Sequence, residues 1–184
     1  TKMFANIINK IKEMQPGILV VGDLMLDKFI FGDVLRISPE APIPIVKLQK
    51  EEQMLGGCGN VIMNLNNLGV SASPFSVVGT DFAGDKILDL ILEQNISVSN
   101  ISRLENIRTT EKMRIVAGKQ QVARVDWDMD KINSADLNFE NLANEIKSAS
   151  GIIISDYAKG VCSNELVKNI IQLSRRYNKP TYVD

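Results

Sequence analysis

The chain contains no histidine, and its only cysteines, Cys58 and Cys162, are far apart and form no C-x-x-C pair. A histidine base, a Ser-His-Asp triad and a histidine-ligated metal are therefore excluded within it. A zinc ribbon or a disulfide scaffold is excluded as well. Chemistry is left to carboxylates, lysines, arginines and backbone amides. Such residues follow each apolar run: Asp23 and Asp27 after residues 18–22, Gly79 and Asp81 after 76–78, Ser155, Asp156 and Lys159 after 152–154, and Asp184 after 181–183. Each alone fits a solvated loop equally well. Four in register mark one end of a sheet, and in open parallel sheets ligands bind beyond the carboxyl ends of the strands.

A second feature is Gly56-Gly57-Cys58-Gly59-Asn60, immediately before a helical run. Glycines let a ligand approach the backbone, and a helix start offers free N–H groups. A tight turn feeding a helix explains the glycines equally well. The stretch is not G-x-x-x-x-G-K-[ST], and no G-x-G-x-x-G follows the first strand, which disfavours a Walker A loop and a nicotinamide-type Rossmann oxidoreductase. The third feature is charge. Residues 103–124 carry a local balance of +4, with Arg103, Arg108, Lys112, Arg114, Lys119 and Arg124 against Glu105 and Glu111. Residues 125–145 carry −5 and lack EF-hand spacing, so they read as a solvated loop and helix start. A basic layer beside a crevice is suited to a substrate phosphate.

These residues need a scaffold, and hydrophobic periodicity supplies one. Gly17–Gly22 and Ile152–Ile154 are all-apolar runs, as in strands buried on both faces. Ser76–Val78 and Thr181–Val183 read as further strands. Helical stripes follow: Val61, Ile62, Leu65 and Leu68 within 59–68; Ile87, Leu88, Ile91 and Leu92 within 82–94; Leu137, Leu142 and Ile146, entered near Ser134; and Leu166, Val167, Ile170, Ile171 and Leu173. Phe4, Ile7, Ile8, Ile11 and Met14 predict an amphipathic helix that packs on the body. Alternating strands and helices imply a mainly parallel sheet covered on both faces, an α/β fold. Two segments break the rhythm. Residues 28–49, with Pro39, Pro42 and Pro44, and residues 110–127, around Ala117-Gly118-Lys119, alternate like half-exposed strands. They predict a small β layer outside the main sheet, a lid or an interface.

Composition sets the outer bounds. With 184 residues, 45% apolar and 23% charged, the bulk of the chain is globular, and a net charge of −1 argues against nucleic acid as partner. No apolar stretch approaches the roughly 20 residues that span a bilayer. Cysteine usage makes a reducing cytoplasm the expected compartment.

The stretches Val21-Gly22-Asp23-Leu24-Met25-Leu26-Asp27, Arg36-Ile37-Ser38-Pro39-Glu40-Ala41-Pro42-Ile43-Pro44-Ile45-Val46, Gly56–Val61, Gly79-Thr80-Asp81-Phe82-Ala83-Gly84 and Ser155-Asp156-Tyr157-Ala158-Lys159-Gly160-Val161 resemble the ribokinase-like (PfkB) carbohydrate kinases. The second and last are similar to the branch that phosphorylates D-glycero-β-D-manno-heptose 7-phosphate. The resemblance covers the chain from about residue 17. It implies a three-layer α/β/α fold with a small β-sheet lid, and transfer of the γ-phosphate of ATP, as its magnesium complex, to the anomeric hydroxyl of the heptose phosphate, in ADP-heptose and lipopolysaccharide core synthesis. It implies that Asp27 binds sugar hydroxyls, that Gly56, Gly57 and Asn60 line the same pocket, and that Asp156 and Lys159 lie at it. The lid is expected to form a homodimer interface. Lys112 and Arg114, with Arg36 as a weaker candidate from the same or a partner chain, are expected at the substrate phosphate on charge and placement.

The family's G-A-G-D motif with its catalytic aspartate, its magnesium-linked N-x-x-E and its adenine loops are absent. Residues 1–184 are therefore expected to be an incomplete kinase domain, with a truncated sheet, no catalytic residue of its own and no kinase activity in isolation. Another PfkB sugar kinase, or a non-catalytic dimerisation module built on the lid strands, are the alternative readings.

Overall fold

A computed structural model describes residues 2–129, 132, 137, 139 and 141–184. The apolar run Gly17–Gly22 (β1) is the middle strand of a five-stranded parallel sheet. Its neighbours are Ser71–Gly79 (β4) and Gly151–Ser155 (β8), with Ile101–Leu104 (β5) and Thr181–Val183 (β9) at the edges. Both faces of β1 are buried. Leu19 and Val21 join Phe75, Val77, Ile152 and Ile154 beneath the helices Leu142–Ser148 (α4) and Asn164–Arg176 (α5). Val20 joins Val78 beneath Cys58–Asn67 (α2) and Phe82–Leu92 (α3), where Ile62, Ile87 and Ile91 are fully buried. A large aliphatic side chain buried this way contributes about 1.5–3 kcal/mol. The result is the expected three-layer α/β/α arrangement.

The lid is one sheet, and it starts earlier than the alternation predicts. The chain leaves the parallel sheet at Gly22 and enters Leu24–Ile37 (β2) after a single intervening residue, Asp23. β2 pairs antiparallel with Pro44–Gly57 (β3) and parallel with Glu111–Ala117 (β6), which turns at Gly118 into Gln120–Trp127 (β7). Pro39 and Pro42 fall in the β2–β3 connection, and Pro44 opens β3.

The helix start expected near Ser134 lies outside the described residues, as do Asp130, Lys131, Asp136 and Glu140 of the acidic run, and α4 is described from Leu142. Other expectations are corrected. Leu68, the residue after α2, and Leu92, the last residue of α3, are exposed. β4 is longer than the predicted 76–78, because Pro74 is tolerated where β4 has no outer neighbour: β5 pairs only with Ser76–Gly79. The N-terminal helix Lys2–Met14 (α1) exists, but Ile7 and Met14 are exposed, and only Ile8 and Ile11 of its described apolar residues are half-buried.

Candidate functional site

Asp27 lies on β2, in register with Met54 of β3 and Lys112 of β6. It is thus a lid-strand residue near the base of that sheet, and not a residue of the loop after β1. Two positions along β6, Arg114 reaches back so that its Nη1 lies 2.5 Å from Asp27 Oδ1, and its guanidinium stacks 5.1 Å above the Phe29 ring. Both partners are partly exposed, so the pair contributes little to stability, at most about 1 kcal/mol. It holds a cation beside a carboxylate.

The glycines make the space. Gly56 faces Met25 across the β2–β3 ladder, and a Cβ there would come within 2.5 Å of Asp27 Oδ2. Gly57, at φ 57° and ψ −135°, is the N-cap of α2, where the Cys58 N–H donates to the Asp23 carbonyl at 3.0 Å. β3 therefore passes into α2 with no loop between them. Asn60 follows in the first helical turn. Met25, Asp27, Gly56, Gly57, Asn60, Lys112, Arg114 and Tyr157 enclose a cavity of about 290 Å³. That is the small end of the range for ligand sites, about 300–1,000 Å³. Among the described residues two larger clefts are present, and neither matches its chemistry. The one of about 560 Å³ lies at the amino end of β4, between Asn66 and Ser97, and holds no charged side chain. The other, about 530 Å³, lies beside the start of α3 and is lined by Asp81, Glu105 and Glu111 with one cation, Arg108.

Six of the expected residues thus meet: Asp27, Gly56, Gly57, Asn60, Lys112 and Arg114. The others do not line the cavity. The Lys159 ammonium turns to Asp128, 2.6 Å from its Oδ1, and exposed Asp156 accepts the Ala158 N–H at 2.8 Å. Arg36 is exposed nine residues beyond Asp27 on β2, about 30 Å away at 3.3 Å per residue. Sequence reading missed Tyr157 as a cavity wall, with the Lys112 ammonium 5.9 Å over its ring. An aromatic inside the polar stretch 155–161 was the available signal. It also missed Asp128, whose place in an acidic run reads as solvent-facing.

The G-x-D-x-x-G element is a structural staple. Asp81 caps α3 by accepting the Gly84 N–H at 2.9 Å, and accepts the Thr109 N–H at 2.8 Å and its hydroxyl at 2.6 Å. The Thr109 hydroxyl in turn accepts the Gly79 N–H at 2.8 Å. Burial pushes the Asp81 carboxyl up, but these hydrogen bonds together outweigh it and hold it below the usual 3.8. A depressed folded-state pKa adds stability that is present above the unfolded value and is lost as pH falls through the folded one. Asp81→Ala should therefore cost about 1–2 kcal/mol at neutral pH. The deficit relative to wild type should shrink below pH 4, as measured by urea unfolding.

Burial, with help from Asp23 and Asp156, pushes the Cys162 thiol up to about 12, and burial pushes the Cys58 thiol well up. Neither is a thiolate nucleophile at neutral pH. Among the described residues no three Asp, Glu or Cys side chains converge where a metal ion could be held. No described helix is long and apolar enough to cross a membrane.

Residues 15–184 match the pfkB family of carbohydrate kinases. The chain belongs to that family. This pfkB-family chain is 41% identical over 173 residues to the bifunctional protein HldE of Aliarcobacter butzleri, covering 92% of itself and 36% of that protein. It is 38% identical over 172 residues to HldE of Haemophilus influenzae, covering 92% and 35%. The chain thus spans about a third of the length of these relatives. Its fold matches phosphofructokinase-2 of Escherichia coli, with TM-score 0.69 and 17% identity over 92% of this chain and 53% of that one. It also matches Arabidopsis thaliana ribokinase, with TM-score 0.65 and 13% identity over 93% and 54%. Both solved structures share the ribokinase-like architecture.

Proposed function

We propose that this chain forms the acceptor-sugar side of an ATP-dependent kinase acting on D-glycero-β-D-manno-heptose 7-phosphate at O1. The observation that carries this reading is one cavity holding a carboxylate, Asp27, beside two cations, Lys112 and Arg114. The carboxylate accepts hydrogen bonds from sugar hydroxyls, and the cations bind a phosphate on the same molecule. The identity with HldE and the Arg36–Val46 and Ser155–Val161 stretches favour the heptose over other sugars. ATP with magnesium supplies the phosphoryl group and neutralises its charge. Phosphoryl transfer is mostly positioning and electrostatics, so the role of the described residues is to hold the acceptor. The reaction then belongs to ADP-heptose and lipopolysaccharide core synthesis in the cytoplasm.

Calorimetric titration with heptose 7-phosphate and with the unphosphorylated heptose tests the reading. Tighter binding of the phosphorylated sugar by at least about tenfold is expected, since a charge-assisted hydrogen bond contributes about 1.5–3 kcal/mol. Equal affinities, or tighter binding of another sugar phosphate, would count against it. Lys112→Ala should weaken the phosphorylated sugar by about 10–100-fold and leave the unphosphorylated one nearly unchanged.

A second element of the proposal is a homodimer through the lid. Leu35, Ile37, Ile43 and Leu48 are all more than half exposed on the β2–β3 arm, and apolar side chains grouped in this way suit an interface. Arg36 lies among them, and on this reading it serves a partner chain rather than its own Asp27. Sedimentation velocity should show a dimer that Leu35→Asp with Leu48→Asp converts to monomer. A monomer at all concentrations in the unaltered protein would remove this element.

A further inference from the structure

Asp23 is fully buried, yet no cation pairs with it among the described residues. A buried carboxylate in that position must be compensated by hydrogen bonds. Its compensation comes from one place. Oδ2 accepts the Tyr157 N–H at 2.8 Å and the Lys159 N–H at 3.1 Å, and Oδ1 accepts the Val161 N–H at 3.0 Å. Alternate amides of the turn after β8 thus converge on one side chain more than 130 positions earlier in the chain. The turn needs such a hold, because Ala158 has φ 56° and Gly160 φ 109°, and a non-glycine residue keeps such a conformation only when its surroundings impose it. The backbone of Asp23 serves two other walls: its N–H donates to the Ser155 carbonyl at 3.3 Å, and its carbonyl accepts the Cys58 N–H at 3.0 Å.

We propose that Asp23 is a positioning residue of the sugar site, whose carboxylate fixes the Tyr157–Val161 turn so that Tyr157 closes the cavity and Lys159 faces Asp128. The inference rests on the sugar-binding reading for its functional consequence, though not for the ordering of the turn. The side chain touches neither the cavity nor, by this assignment, the substrate. It acts by charge and by geometry: two oxygens take three N–H groups, which a neutral amide of the same shape cannot do, since its NH₂ would face at least one of those donors.

Asp23→Asn tests this. Amide hydrogen exchange at one or more of residues 157, 159 and 161 should accelerate at least about tenfold while α5 amides stay unchanged, because a buried donor has lost its acceptor. The Kd for heptose 7-phosphate should rise at least about tenfold in parallel. Ile146→Ala, a core truncation on the buried face of α4, is the control for lowered stability and should leave that Kd within about twofold. Unchanged exchange at the three amides, or equal loss of binding in both variants, overturns the proposal. Should the unaltered chain bind no heptose phosphate, the sugar-binding reading fails, and the exchange rates alone decide whether Asp23 orders the turn. Should Asp23→Asn not fold, couplings across the hydrogen bonds from the three amide nitrogens to the Asp23 carboxyl carbon decide in the unaltered chain. Their presence supports the assignment and their absence overturns it.

Discussion

Asp27→Ala should weaken binding of heptose 7-phosphate by about 100-fold or more, while the thermal midpoint stays within a few degrees. The size follows from what is lost. A carboxylate accepting two sugar hydroxyls contributes about 1.5–3 kcal/mol for each charged hydrogen bond, and each 1.4 kcal/mol is tenfold in affinity. The structural cost is small because, among the described residues, the ion pair broken is the partly exposed one with Arg114, worth at most about 1 kcal/mol. Asp27→Asn keeps the shape and one acceptor, so it should fall between wild type and the alanine variant. The two titrations, with circular dichroism melts alongside, separate a binding role from a structural one. Unchanged affinity in Asp27→Ala would remove the residue from the site.

The second large effect is on stability. Gly57→Ala should cost about 3 kcal/mol or more and lower the melting temperature by about 6–12 °C for a chain of this size. Two costs combine. The backbone at φ 57° and ψ −135° lies where a side chain is strained by about 1–3 kcal/mol. A Cβ there would also overlap the Asp23 carbonyl oxygen, the acceptor of the first helical N–H. Gly118→Ala provides the comparison. It too has positive φ, but its added Cβ meets nothing within 4 Å, so it should show the backbone strain alone.

Much of the parallel sheet was legible because burial on both faces writes an unbroken apolar run, as in β1 and β8. The Gly56–Asn60 turn was legible as a close approach, though its neighbour was not: nothing local says that the atom requiring Gly56 is an oxygen of Asp27. The lid was legible as strands but not as one sheet. Its closure depends on β2 pairing with β6, Leu26 beside Glu111, and periodicity carries no information about a partner that distant. The same holds for Lys159, whose ammonium was expected at the sugar and is taken by Asp128. Asp81 and Thr109 illustrate the remaining gap. The motif marks the aspartate, but only the fold brings a buried threonine from the far side of β5 to its carboxylate.

The single-residue passage from β1 to β2 makes the lid a lever with its fulcrum at Asp23. Fourteen residues of β2 extend about 46 Å at 3.3 Å each, so a tilt of about 5° at the base carries the far tip through about 4 Å. Asp27, only three positions from the first residue of β2, travels about 1 Å. A tilt of the arm, or its capture by another surface, would thus be nearly invisible at the carboxylate, so the geometry around Asp27 is decoupled from events at the tip.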